Sequence, residues 1–213
     1  MQWDAFKTFI SKILIEGNRL QKFDITGAQL TKKWFTDTQL FSLLASCLFV
    51  TLLPQGLTEN FSEYAIAFLG IFVGLFTNII ISLYEKSKNI YVDYDKKNNN
   101  EKARIEVLRN YLVQFTGLTS YSIILALFAV ILLLGVLLFP ITRIDIRSFK
   151  FVQSFSEINI ITISNFVKVF ILIIFRYSIF YLLLNFFIIT LFATSSYFSF
   201  LLSEYNNLKP SND

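Results

Sequence analysis

Residues 65–86 read "AIAFLGIFVGLFTNIIISLYEK". The stretch is apolar enough to lie in lipid, where a crossing helix needs about 20 mostly apolar residues. Yet Gly70, Gly74, Asn78 and Ser82 recur at every fourth position, which stacks them on one face of a helix. Lipid supplies no hydrophobic drive between helices, so small residues that let backbones approach mark helix–helix contacts. The spacing predicts a seam rather than a permeation stripe, with Asn78 fixing register. The partner helix belongs either to the same chain or to a second copy.

The rest of the composition agrees with a membrane chain. Of 213 residues, 54% are hydrophobic and 25 are Phe, with only 7 Gly and 3 Pro. There is no histidine and one cysteine, Cys47. Imidazole is the usual base near neutral pH and a common metal ligand, and Cys/His zinc sites and an intramolecular disulfide are ruled out as well. No enzyme activity, catalytic residue, cofactor or metal is expected, and Cys47 reads as a small apolar packing residue.

The N-terminal "MQWDAFKTFISKILIEGNRLQKF" lacks the compact apolar core and cleavage site of a signal peptide. Trp3, Phe6, Ile10, Ile13 and Leu14 recur at helical spacing, with Lys7, Lys12, Arg19 and Lys22 among them. The pattern suits an amphipathic helix in the interface of an anionic leaflet. It equally suits a helix packed on the protein's own cytosolic part.

Four spans follow: Trp34–Leu53, stopped by Pro54-Gln55-Gly56; Tyr64–Tyr84; Leu118–Phe139, stopped by Pro140; and a fourth within 166–202. That last stretch is long for one perpendicular crossing, but no Gly or Pro is there to make a turn. The connection 54–63 carries no Lys or Arg, whereas 85–117 carries Lys86, Lys88, Lys96, Lys97, Lys102, Arg104 and Arg109. The N-terminal arm adds six more, ending in Lys32 and Lys33 beside Trp34. By the positive-inside rule both termini and the central loop face the cytoplasm. Arg143, Arg147 and Lys150 in 140–165 oppose this mildly.

The expected fold is therefore an all-α integral membrane protein with four transmembrane helices. Its parts are an amphipathic arm (1–33), a first transmembrane hairpin (34–84), a charged cytosolic loop and helix (85–117) and a third span (118–139). An outer loop (140–165), a long fourth helix (166–202) and a cytosolic tail (203–213) complete it.

In the central loop, Tyr91 and Tyr94 are the aromatics of a charged, Asn-rich segment. "NEKARIEVLRNYLVQF" then places Ile105, Leu108, Leu112 and Phe115 at helical spacing, with Asn100 as a candidate N-cap. This helix extends the third span into the cytoplasm. Tyr91, Tyr94, Ile105, Leu108, Arg109 and Leu112 form a candidate docking surface for a cytosolic protein, or else the stripe packs on the N-terminal helix. Five acids among the seven basic residues argue against direct nucleic-acid binding.

The outer loop alternates Arg143, Ile144, Asp145, Ile146 and Arg147, followed by Phe149 and Phe151 around Lys150. Period-two alternation predicts a strand, with Phe155–Ile163 as its hairpin partner. It is the one external part large enough to sense anything, or it is a rim that seals an oligomer. Arg176 is the conspicuous intramembrane charge. Its expected depth near the outer interface suits snorkelling beside Tyr177 or a gating role. Asn185 and Asn78 are expected nearer the bilayer interior.

Two classes of function fit these features. One is an oligomeric membrane sensor or anchor that holds a cytosolic partner. The other is a small pore-forming or membrane-depolarising effector. The order of an amphipathic arm, "IFVGLFTNIIISLYEK", a charged insert and "RIEVLRNYLVQFTGLTSYSIILALF" resembles small bacterial four-span proteins of anti-phage systems, in particular the KwaA family of the Kiwa system. The resemblance implies an inner-membrane oligomer that responds to phage at the envelope and works with the cytosolic DNA-binding partner KwaB. It lies in span layout, and no binding residue carries over.

Overall fold

The structure, a computed structural model, describes residues 2–23, 29, 36–90, 98–148 and 160–208. Five helices make up nearly all of it: α1 (Gln2–Leu20), α2 (Asp37–Leu52), α3 (Glu59–Ile90), α4 (Asn99–Leu138) and α5 (Ile160–Leu208). Three contain stretches long and apolar enough to cross a membrane: Glu59–Glu85, Ile105–Leu138 and Ile163–Phe198. The 16 residues of α2 are apolar but shorter. At 1.5 Å per residue they reach about 24 Å, against a hydrocarbon core of about 30 Å.

Solvent preference is inverted along α2. Gln39, Ser42 and Ser46 are buried, while Leu40, Phe41, Leu44, Leu48 and Leu52 are exposed. The buried hydroxyls satisfy themselves on their own helix: Ser42 donates to the Thr38 carbonyl (3.0 Å) and Ser46 to that of Ser42 (2.5 Å). Back-bonded serines take little room and need no outside acceptor, which suits close helix contacts surrounded by lipid. Cys47 departs from its expected packing role, being exposed on this outward face.

Helix ends follow local chemistry. Pro54 and Gly56 stop α2, the Gly56 N–H closing a turn onto the Leu53 carbonyl (3.1 Å). Pro at the second and Gly at the fourth position are favoured turn placements. Thr58 caps α3, its hydroxyl accepting from the Phe61 N–H (3.2 Å). Asn98 rather than Asn100 precedes α4, its carbonyl accepting from the Lys102 N–H (3.0 Å). With no helix breaker inside it, α5 is continuous over 49 residues; α4 runs 40. At 1.5 Å per residue these are about 70 and 60 Å long, and each exceeds the hydrocarbon thickness of about 30 Å.

The chain forms two compact units: Met1–Thr36 with Val73–Ile124 and Phe186–Asp213, and Asp37–Phe72 with Leu125–Asn185. In the first, Tyr111, Phe115 and Tyr197 join α4 to α5, with ring centroids 5.8, 6.4 and 6.0 Å apart. Here α1 packs against α4. A Cβ at Gly17 would strike the Tyr121 ring, and one at Gly117 would strike Leu20. The Gln114 amide donates to the Phe23 carbonyl (2.7 Å) just past α1. In the second unit, Phe49 of α2 stacks on Phe180 of α5 at 5.5 Å. Gly135 lets α4 approach Phe175, whose ring lies 3.1 Å from where a Cβ would stand.

The expected outer β-hairpin does not form over the residues described. Pro140–Arg143 and Ile146–Ser148 are 3-10 turns, and the end of the second expected strand lies inside α5, which starts at Ile160. Residues 149–159 lie outside the described residues. Among those described, β pairing is confined to an isolated bridge between Phe23 and Gln29. Local bonds explain the turns. Thr142 donates to the Phe139 carbonyl (2.7 Å), the Asp145 carboxylate accepts from the Arg147 N–H (2.8 Å), and Ser148 donates to the Asp145 carbonyl (2.6 Å). Such side-chain bonds compete directly with strand ladders.

Candidate functional site

Arg176 lies in the first half of α5 and is the largest fully buried side chain among the described residues, 1% exposed. This replaces the expected snorkelling: the guanidinium is enclosed by backbone. Its Nη1 donates to the Pro54 carbonyl (3.0 Å), and its Nη2 to those of Thr142 (3.0 Å) and Ile144 (2.6 Å). One side chain thereby ties the α2–α3 turn and the α4–α5 connection to the same point on α5.

The acceptors are neutral carbonyls, not a carboxylate. They follow the C-terminal ends of α2 and α4, where unpaired carbonyls and the negative ends of the helix dipoles favour a cation. Asp145, whose charge acts on Arg176, stands in the same connection. Hydrogen bonds to a charged donor contribute about 1.5–3 kcal/mol each, and three of them offset the several kcal/mol of burying an ion. Nε is buried without a hydrogen-bond partner among the described residues.

The surroundings are shaped to this fork. Gly56 has φ +84, and a Cβ there would contact Nη2 and come within 2.7 Å of the guanidinium carbon. Both the backbone angle and the space therefore call for glycine. The Pro54 carbonyl also accepts from the Ile146 N–H (3.0 Å), a second tie between the connections. A third is the ion pair of Arg143 with Glu59 at the start of α3.

The other sequence candidates fall as follows. Arg143 makes that ion pair, Ile144 gives its carbonyl to Arg176, Ile146 pairs with Pro54, and Arg147 is exposed. Phe149 and Phe151 lie outside the described residues, as do Tyr91 and Tyr94. Ile105 is buried, Leu108 and Leu112 are half-buried and Arg109 is exposed. Leu112 and Thr116 face Ile80, Ile81, Leu83 and Tyr84 across an apolar groove of about 300 Å³ between α4 and α3. Asn185 is 2% exposed, and its Nδ2 has no hydrogen-bond partner among the described residues.

Gly70, Gly74, Asn78 and Ser82 are all exposed, and a Cβ at Gly70 or Gly74 would meet nothing within 4 Å. No described helix of the chain covers this line. The most apolar stretch of α3 is only 11% buried, against 39% for α4 and 33% for α5.

The clasp's carbonyl partners at Pro54, Thr142 and Ile144 were missed by sequence reasoning, because acceptors on the backbone carry no residue code. The available signal was a lone intramembrane arginine with no intramembrane acid, opposite a Pro-Gln-Gly turn. Among the described residues no three His, Cys, Asp or Glu side chains gather as a metal site. Comparison with protein-family models, with curated proteins and with solved structures returned no match.

Proposed function

We propose that this chain is a non-enzymatic, four-span membrane protein that assembles as an oligomer and holds a cytosolic partner, reporting an event at its outer face to that partner. The carrying observation is the Arg176 clasp. It brings the α2–α3 and α4–α5 connections to one end of the bundle. With α3, α4 and α5 crossing, the α2–α3 turn lies at that end, and the N-terminal arm lies at the opposite end if α2 crosses as well. The outward apolar face of α2 supports this, and a core shorter than usual is accommodated by bilayer thinning and by anchors such as Lys33 and Trp34.

In this reading the clasped end is outer and both termini and the 85–117 segment are cytoplasmic, as the lysine distribution favours. An outer event acts on the clasped connections and so on α5, a single helix that runs from Ile160 to Leu208. The uncovered line on α3 is the oligomer seam, because an exposed Asn78 amide in lipid gains a partner from a second copy. Placement in a bacterial inner membrane, a role in anti-phage defence and a KwaB-type partner come from the resemblance to KwaA.

One purification tests the proposal. The full chain in detergent is expected to run as an oligomer on native gels and to retain the product of the adjacent reading frame. Gly74→Leu with Asn78→Leu should reduce the oligomer to monomer, and deletion of 85–105 should release the partner. A monomeric parent chain that acts without any partner would overturn the proposal. Depolarisation of expressing cells, altered by Asn78→Leu, would favour the pore instead.

A further inference from the structure

Helix α1 carries one continuous apolar face, Trp3, Phe6, Ile10, Ile13, Gly17 and Leu20, at steps of three and four. Among the described residues, only one end of it is covered. Gly17 is buried on Tyr121, and Leu20 abuts Gly117. Toward the N-terminus contact fades: Ile13 and Ile10 are half-buried, while Phe6 is 52% and Trp3 74% exposed. Trp3 and Phe6 pack on each other, their ring centroids 5.7 Å apart. Phe9 at the border of the face is exposed as well.

The level of the attachment is fixed by α4. After Arg109 the chain has no charged residue until Arg143. The α1 contacts fall on Gln114, Gly117 and Tyr121, one to three turns beyond that last charge. In a spanning α4 this is where headgroups give way to acyl chains. A helix held there sits at interfacial depth.

Charge selects among occupants. On α1, Glu16 is paired with Arg19 at 2.8 Å. Lys7 and Lys12, beside the aromatic end, have no acidic partner among the described residues. Residues 1–33 hold six Lys or Arg against three Asp or Glu. Aromatic side chains flanked by Lys7 and Lys12, in an arm whose basic residues outnumber its acids, match an anionic leaflet better than an apolar protein groove or a second copy of the same basic helix.

We propose that the N-terminal half of α1 is a lipid-binding fin, keyed to α4 by Gly17 and Gly117. Trp3, Phe6 and Ile10 enter the acyl boundary of an anionic leaflet, and Lys7 and Lys12 meet its phosphates. This assignment needs no cytosolic partner and stands apart from the sensor reading.

The test uses the full chain with Trp34→Phe, leaving Trp3 as the sole tryptophan, in nanodiscs of phosphatidylcholine with or without phosphatidylglycerol. In anionic discs Trp3 emission should be blue-shifted and strongly quenched by lipid brominated near the headgroup. Each of Lys7→Glu and Lys12→Glu should lower the docked-to-free ratio at least about fivefold, given roughly 1 kcal/mol per surface lysine. Unchanged far-ultraviolet circular dichroism separates lost contact from unfolding. Equal quenching in neutral and anionic discs would overturn the anionic assignment. A water-exposed, unquenched Trp3 in both would overturn lipid contact and leave a protein as the occupant. Should Trp34→Phe fail to fold, an environment-sensitive probe on Trp3→Cys in a Cys47→Ser chain gives the same readout.

Discussion

Replacing Arg176 with leucine is expected to destabilise the protein by about 2–5 kcal/mol, the cost of carbonyls left without their donor. Replacing a whole buried ion pair by apolar side chains often leaves stability unchanged. Here the acceptors remain: the carbonyls of Thr142 and Ile144 lose their donor, while that of Pro54 keeps only the Ile146 N–H. Each buried polar group left without a bond costs about 1–3 kcal/mol, so the loss outweighs the relief of burying charge. The melting temperature should fall by on the order of 10 °C, and externally added trypsin should cut faster at Arg143 and Arg147. Arg176→Lys should recover only part of the loss, since a compact ammonium lacks the planar fork that reaches two connections at once. Unchanged melting and unchanged proteolysis in Arg176→Leu would show that the clasp is not holding the connections.

Gly56→Ala should have the second largest effect, about 3 kcal/mol. Placing a side chain at φ +84 costs about 1–2 kcal/mol. The new methyl also displaces Nη2 from its carbonyls, which forfeits at least one charged hydrogen bond of about 1.5–3 kcal/mol. The two contributions separate in a double-mutant cycle. In an Arg176→Leu background there is no guanidinium to strike, so Gly56→Ala should cost only the backbone strain. Additive losses, measured by thermal denaturation of the four proteins, would contradict a direct contact.

Much of the architecture was legible because lipid selects for composition over length. The apolar runs of α3, α4 and α5 declare themselves. The lack of Gly and Pro in 166–202 argues against a turn that would split that stretch, though continuity itself is visible only in α5. Position was harder. Gly70 and Gly74 announce a close-approach face, but only the fold shows that no described part of this chain approaches it. The stretch Arg143–Arg147 alternates like a strand, yet its Ile144 carbonyl goes to Arg176 and its Asp145 caps a turn. Periodicity records which residues share a face; it does not record which backbone groups a distant arginine will take. For α1, period and charge described the helix, whereas its attachment rests on two glycine contacts with no periodic signature.

In the proposed topology the α2–α3 and α4–α5 connections share the outer end of a four-span bundle. A cysteine-labelling experiment on intact cells tests it most directly. In a Cys47→Ser chain, Gln55→Cys and Arg147→Cys, both exposed positions in the structure, should each react with a membrane-impermeant maleimide from outside. Lys12→Cys should react only after permeabilisation. Labelling of Gln55→Cys and Arg147→Cys from opposite sides of the membrane would contradict the clasp and the topology built on it.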